Sequence, residues 1–362
     1  MDATRSLFLS LIAVLASCGL LMVHSASVTS WPTEADQIYL SRHAVFVLLG
    51  GIAALGCSCI PASRLRQLAP WMFAGTVLLL VAVLVPGFSV RVNGARRWLR
   101  AGGISLQPSE FAKITLPLLL ASLATTRTQM MRHWLWGTLP FLLPIGLVGG
   151  LVLVEPDLGT AAFLMASGSL CLFFAGWPLR NFIFGCVFGG LVLGFGVGLR
   201  PYQLERIRGF IGAWTDFDSA PYQLKQSLMT LGAGGVDGVG IGNGWQKLSF
   251  LPEANTDFVI AVVGEELGLV GTLGLVAVWL GVLLTGFRLL ERCEPHSFSA
   301  IAGKTLIAQL VLQAAINVAV VTAMVPPKGI AHPLVSYGGS NLLVSFISVG
   351  LILSLTKSSA DG

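Results

Sequence analysis

Stretches of about twenty residues with almost no charge recur along this chain, and each has the length that carries a helix across a bilayer. Ten are read, at about 6–24, 43–61, 69–88, 108–125, 134–154, 158–176, 181–199, 259–287, 303–325 and 338–356. A single run of this kind would suit a buried core helix; ten in succession do not. Of the 362 residues, 54% are hydrophobic and 11% charged, against roughly 25% charged in soluble domains. The expected fold is all-α: a polytopic membrane protein of about ten transmembrane helices, one integral domain over 1–362, with a large extracytoplasmic loop at about 200–258 before the eighth span. The 259–287 run exceeds one crossing, so part of it tilts or stands outside the hydrocarbon. The first run, Ser6 to Val23, is long for a signal peptide and is kept as a span. Cys18, Cys57, Cys59, Cys171, Cys186 and Cys293 have no zinc-type spacing and are read as small apolar fillers, not as a disulfide framework.

The short loops 62–68, 126–133 and 288–302 are basic, which favours cytoplasmic termini. Arg91, Arg96, Arg97 and Arg100 then fall on the translocated side, against the usual bias, around Trp98 and Leu99. Arginine suits phosphate, so this cluster reads as an anion site, with a solvated loop as the plainer alternative.

Four further stretches carry polar chemistry. In Gln107-Pro-Ser-Glu-Phe-Ala-Lys113, Pro108 suits a first helical turn and Glu110 sits at the positive end of the helix. Lys113, three residues on, shares its face. A structural ion pair and a polar cavity wall both fit. Glu155-Pro-Asp-Leu-Gly159 makes a tight turn between two spans. The glycines from Gly232 to Gly244 lack a phosphate-loop pattern and read as a tightly folded loop. Beyond them Asn255 or Thr256 can cap the next helix, and Asp257 stands at its mouth. Asp257 either complements the helix dipole or serves as a general base. Glu265 and Glu266 lie deeper and need a cavity or a basic partner. Val325 to Asn341 is broken by prolines and glycines, so it lines a covered or watery cavity into which Lys328, His332, Ser336 and Tyr337 could project.

Taken in order, Asn93-Gly-Ala-Arg-Arg-Trp98, Gln107 to Lys113, Pro156-Asp-Leu-Gly-Thr160, Tyr222-Gln-Leu-Lys-Gln-Ser227, Phe250-Leu-Pro-Glu253 with Thr256-Asp-Phe258, Glu265-Glu-Leu-Gly268 and Ser336-Tyr-Gly-Gly339 resemble the successive signatures of the SEDS proteins, the RodA/FtsW/SpoVE family. The resemblance implies a peptidoglycan glycosyltransferase of the bacterial inner membrane, multi-pass, with its active site on the extracytoplasmic face. Such enzymes polymerise lipid II into β-1,4 glycan strands with inversion and release undecaprenyl pyrophosphate. It implies Asp257 as the catalytic residue and Arg96, Arg97, Glu110, Lys113, Lys328 and Ser336 as substrate-binding residues. It also implies a class B penicillin-binding protein as partner, with other divisome or elongasome membrane proteins; nucleic acid is not an expected partner. A diphosphate leaving group admits a divalent cation, Mg or Mn, but no ligand cluster in the sequence demands one.

The chain departs from the family pattern at four places. It has Pro326-Pro-Lys-Gly329 for Pro-Thr-Lys-Gly, Asn341 for a serine, Asn255 for a histidine and Glu155 for a glutamine. Gly242-Asn-Gly-Trp-Gln-Lys247 and the Pro-Pro-Lys-Gly turn look more like the division branch of the family than the elongation branch. A lipid II transporter, or a scaffold recruiting the transpeptidase, remains the alternative; either should survive Asp257→Asn, whereas a polymerase should not.

Overall fold

A computed structural model describes residues 3–27, 34–87, 89–92, 95–101, 104–128, 131, 133, 137–198, 201–248 and 250–357. Asn93, Gly94, Arg200, parts of the 126–133 loop and the expected span ends at 88, 134–136 and 199 lie outside the described residues.

Helices stand at all ten expected spans. They are α1 (Ala3–Ser27), α2 (Glu34–Ser58), α3 (Ala62–Leu84), α4 (Pro108–Thr126), α5 (Leu139–Val154), α6 (Leu158–Phe174), α7 (Leu179–Gly198), α10 (Val259–Leu290), α11 (Phe298–Val321) and α12 (Gly339–Lys357). The 200–258 segment contributes α8 (Pro201–Gly212) and α9 (Tyr222–Gly234). Six of the described helices are long and apolar enough to cross a membrane: α1, α3, α10, α11, α12 and the Tyr39–Ser58 part of α2. α5, α6 and the first part of α7 are shorter apolar helices. α4 carries Glu110, Lys113 and an internal Pro117, and nearly all of it is buried.

The chain divides into two compact units. One comprises residues 1–50, 200–285 and 310–345; the other comprises 51–199, 286–309 and 346–362. In the second unit α4 packs against α3, α5 and α6. The 89–106 stretch, expected as a loop, is a three-stranded antiparallel sheet: β1 (Ser89–Val92), β2 (Ala95–Ala101) and β3 (Ile104–Leu106). Val90, Val92, Trp98, Leu99 and Ile104 are strand formers, and the sheet lies against α3 and α4. Its register sets Arg91 opposite Arg96 and Val90 opposite Trp98.

In the first unit the over-long eighth span explains itself. α10 has 32 residues but is interrupted at Gly268, whose φ of 66° and ψ of −165° are not helical. An unbroken helix would bond the amides of residues 269 and 270 to the carbonyls of residues 265 and 266. The glycine-rich loop takes up all four groups. Val239 and Gly240 donate to the carbonyls of Glu265 and Glu266 at 2.9 and 3.0 Å, and Leu269 and Val270 donate to those of Gly235 and Val236 at 3.0 and 3.2 Å. A Cβ at Gly238 would run into the Glu266 carbonyl, and one at Gly268 into the Val236 carbonyl. The glycine run is therefore a patch on the interrupted helix.

Side chains lock this patch. Lys247 donates to Glu266 Oε1 at 2.5 Å, to Ser25 Oγ of α1 at 2.7 Å and to the Gly242 carbonyl at 3.1 Å. Glu265 Oε1 accepts from the Trp245 and Gln246 amides at 2.8 and 3.0 Å. The partners that the two glutamates require thus come from the loop and from Ser25 of α1, whose hydroxyl donates to Glu266 Oε1 at 2.6 Å. Lys247→Met leaves Glu266 buried without its cation, a loss of about 3–5 kcal/mol. Thermal unfolding in detergent should show it, and Lys247→Met combined with Glu266→Leu should unfold at a higher temperature than the single variant.

Candidate active site

Asp257 lies two residues before α10, half-buried, on the turn that follows Pro252. Thr256 N and Phe258 N both donate to the Glu253 carbonyl, at 3.1 and 3.2 Å. The Thr256 hydroxyl donates to Glu253 Oε2 at 2.8 Å, so it closes this turn and does not cap the helix. The turn is then held from two sides within its unit. Tyr337 N, on the Ser-Tyr-Gly-Gly stretch, donates to the Asn255 carbonyl at 2.9 Å. Asn317 of α11 donates through Nδ2 to the Asp257 carbonyl at 2.8 Å and to the Ile330 carbonyl at 2.7 Å. The Pro-Pro-Lys-Gly turn comes against the carboxylate: a Cβ built on Gly329 would stand 2.7 Å from Asp257 Oδ2. Asp257 and Gly329 are therefore neighbours by construction of the two turns; the 325–341 segment was expected to line a cavity.

Two residues expected to project into that cavity are instead internal. Ser336 is buried and its Oγ accepts the His332 amide at 2.7 Å, closing the 332–336 turn. His332 is wholly buried, and its Nε2 accepts the Trp279 indole N–H at 2.8 Å. Tyr337 packs edge-on against Tyr39 at 5.1 Å between ring centroids.

The second unit holds the remaining candidates. Lys113 and Glu110 form a buried pair at 2.6 Å, and the Lys113 ammonium lies 5.3 Å from the centre of the Phe163 ring. Gln309 donates to the Lys113 carbonyl at 2.7 Å and accepts from Ser167 Oγ at 2.6 Å. Arg97 is a staple on the Glu-Pro-Asp turn. Its Nε donates to the Glu155 carbonyl at 3.2 Å, its Nη2 to the Pro156 carbonyl at 2.6 Å, and its Nη1 pairs with Asp157 at 3.4 Å. Asp157 Oδ1 in turn caps α6 through the Thr160 amide at 3.0 Å. Arg96 is half-buried on the same strand. Among the described residues no group of three or more His, Cys, Asp or Glu side chains is placed to hold a metal ion.

The sequence reading passed over Asn317 and Gln313. Gln313 Nε2 donates to the Ala331 carbonyl at 2.8 Å. The signal was there: carboxamides at 309, 313 and 317 recur every four residues in an apolar run, so they share one helix face, and polar groups at such depth need partners.

Glu155 is 1% exposed, and neither carboxylate oxygen has a hydrogen-bond partner. Burial, and then repulsion from Asp157, push its carboxyl from the ordinary 4.5 up to about 8, with Arg97 pulling the other way. A folded value above the unfolded one means that stability is complete below the lower value and is lost as pH rises through the upper. The Tm difference between Glu155→Gln, which cannot ionise, and the wild type should therefore widen in favour of the variant between about pH 4.5 and about pH 8. A difference that stays flat would show Glu155 ionised throughout.

The profile of the FtsW/RodA/SpoVE family, described as cell cycle protein, matches residues 5–361. The chain is 36% identical over 353 residues to the probable peptidoglycan glycosyltransferase FtsW of Trichlorobacter lovleyi, covering 96% of this chain and 92% of that one. It is 39% identical over 350 residues to the protein of the same name from Coxiella burnetii, covering 94% and 93%. Among solved structures it is similar to a chain of a peptidoglycan synthase complex that coordinates polymerization and crosslinking, with TM-score 0.80, 27% identity and 98% of both chains covered. It is also similar to the rod shape determining protein RodA of Thermus thermophilus, with TM-score 0.72, 26% identity and 98% and 97% covered. These likenesses run the length of a multi-pass helical membrane fold, and the chain belongs to the FtsW/RodA/SpoVE family of cell cycle proteins.

Proposed function

We propose that the protein is a peptidoglycan glycosyltransferase that polymerises lipid II in the bacterial inner membrane, with Asp257 as its base on the extracytoplasmic face. The observation that carries this is the held Asp257 turn, in a family whose curated members in comparison are named for that activity. The 4-hydroxyl of the acceptor sugar attacks the anomeric carbon of the donor. Its proton passes to the Asp257 carboxylate as the new C–O bond forms. The bond from that carbon to the diphosphate breaks on the opposite face, so the configuration inverts and undecaprenyl pyrophosphate leaves.

Anionic oxygens on the leaving group call for cations. Lys328, on the same turn as the Gly329 that meets Asp257, is the group proposed for them. Within the second unit Arg96 and Lys113, with Glu110 holding Lys113 in place, are proposed as substrate-binding groups. The Arg97 guanidinium and the Ser336 hydroxyl are each engaged by the turn they close, so the part proposed for each in substrate binding is to hold its own turn. No protein metal centre is proposed; a Mg or Mn ion would be carried by the diphosphate. A class B penicillin-binding protein is the proposed partner. The structural likeness to a chain of a complex that couples polymerization with crosslinking supports it, and the relatives named FtsW favour division over elongation.

The test is polymerisation of purified lipid II in proteoliposomes, alone and with the transpeptidase. A positioned general base contributes about 10²–10⁴-fold, so Asp257→Asn should cut strand synthesis by at least about 100-fold while the protein folds and binds lipid II. Strand synthesis by the variant at the wild-type rate would remove Asp257 from the chemistry. Movement of lipid II across the bilayer with no strands from either protein would favour a transporter.

A further inference from the structure

An asparagine in the middle of an apolar helix needs an explanation. Asn317 is 1% exposed in α11, where an unpaired carboxamide would be costly. Both of its N–H groups are taken, and by two separate turns. One goes to the carbonyl of Asp257 and one to the carbonyl of Ile330, at 2.8 and 2.7 Å. A residue serving only helix packing would have no reason to join these two turns. The first turn carries the carboxylate. The second carries Gly329, whose bare Cα lets its backbone lie directly against that carboxylate. Gln313, one helical turn earlier, repeats the device on the neighbouring Ala331 carbonyl.

We propose that Asn317 is a positioning residue for Asp257: its carboxamide bolts the Asp257 turn to the Pro-Pro-Lys-Gly turn, and Gly329 sets the depth at which the carboxylate rests. The inference builds on the reading of Asp257 as the base. Asn317 touches no reacting atom. It holds the backbone of the residue that does, so its removal lets the two turns part and the carboxylate drift from the hydroxyl. Gly329 acts from the other side, since a methyl group there occupies the carboxylate's place.

The experiment measures kcat and KM for lipid II polymerisation by the full chain in proteoliposomes with its transpeptidase, for wild type, Asn317→Ala, Gly329→Ala and Asp257→Asn. Tm and folded fraction are measured alongside. Misplacement of a catalytic group by about 1 Å costs up to about 100-fold. Asn317→Ala and Gly329→Ala should therefore each lower kcat by about 10- to 100-fold, with KM within about twofold of wild type and the folded fraction unchanged. Wild-type kcat in Asn317→Ala, or a loss matched by its loss of folded protein, overturns the proposal. Should Asn317→Ala fail to fold at all, Gly329→Ala decides alone by the same criteria. An inactive Asp257→Asn beside a fully active Asn317→Ala sinks the positioning role and leaves the base standing. An active Asp257→Asn sinks the base, and the positioning role with it.

Discussion

A helix interrupted among apolar neighbours must find new partners for the amides and carbonyls it releases, because hydrocarbon supplies none. At Gly268 the chain meets this demand from a segment thirty residues upstream. The amides and carbonyls that an unbroken helix would pair between residues 265–266 and 269–270 make four bonds to the glycine-rich loop instead. The rest of the first unit depends on this exchange. It brings the loop close enough for Lys247 to neutralise Glu266 and reach Ser25, and for Glu265 to collect two loop amides. The segment that continues from that loop carries Asp257. Fixing the loop therefore fixes where the Asp257 turn begins, and α10 fixes where it ends.

The same constraint acts on the polar side chains inside the helices. Each buried carboxamide of α11 is spent on backbone that has no regular partner. Gln313 and Asn317 serve the 330–331 stretch and the Asp257 turn. In the other unit Gln309 serves the carbonyl of Lys113, in α4. Such groups make an irregular segment affordable at little cost in disorder, since a buried donor left unpaired would be destabilising.

Arg97 shows how far a charged residue's role can move once its surroundings are known. As sequence it is one of four arginines on a stretch that defies the orientation bias. In the fold its guanidinium is consumed by two carbonyls and a carboxylate of a single turn. That turn holds Glu155, a carboxyl so shut away that its neutral form is favoured.

The helices at the ten expected spans were legible in the sequence because hydrocarbon thickness imposes a length and a polarity that residues display one at a time. So was the family, since its motifs are short, local and in fixed order. Asp257 stood out as a carboxylate at a helix mouth. The sheet at 89–106 was not read, because its strands are short and partly charged, and a membrane composition favours reading such a stretch as loop. Ser336 and Arg97 looked like ligand contacts, and only the tertiary structure shows what their polar atoms bond. Lys247 with Glu266, Gly329 with Asp257 and Asn317 with both turns join residues thirteen to seventy-two positions apart. Sequence spacing determines neighbours along one helix face or one turn; which of those faces meet is decided by packing, where each buried polar group must find its partner.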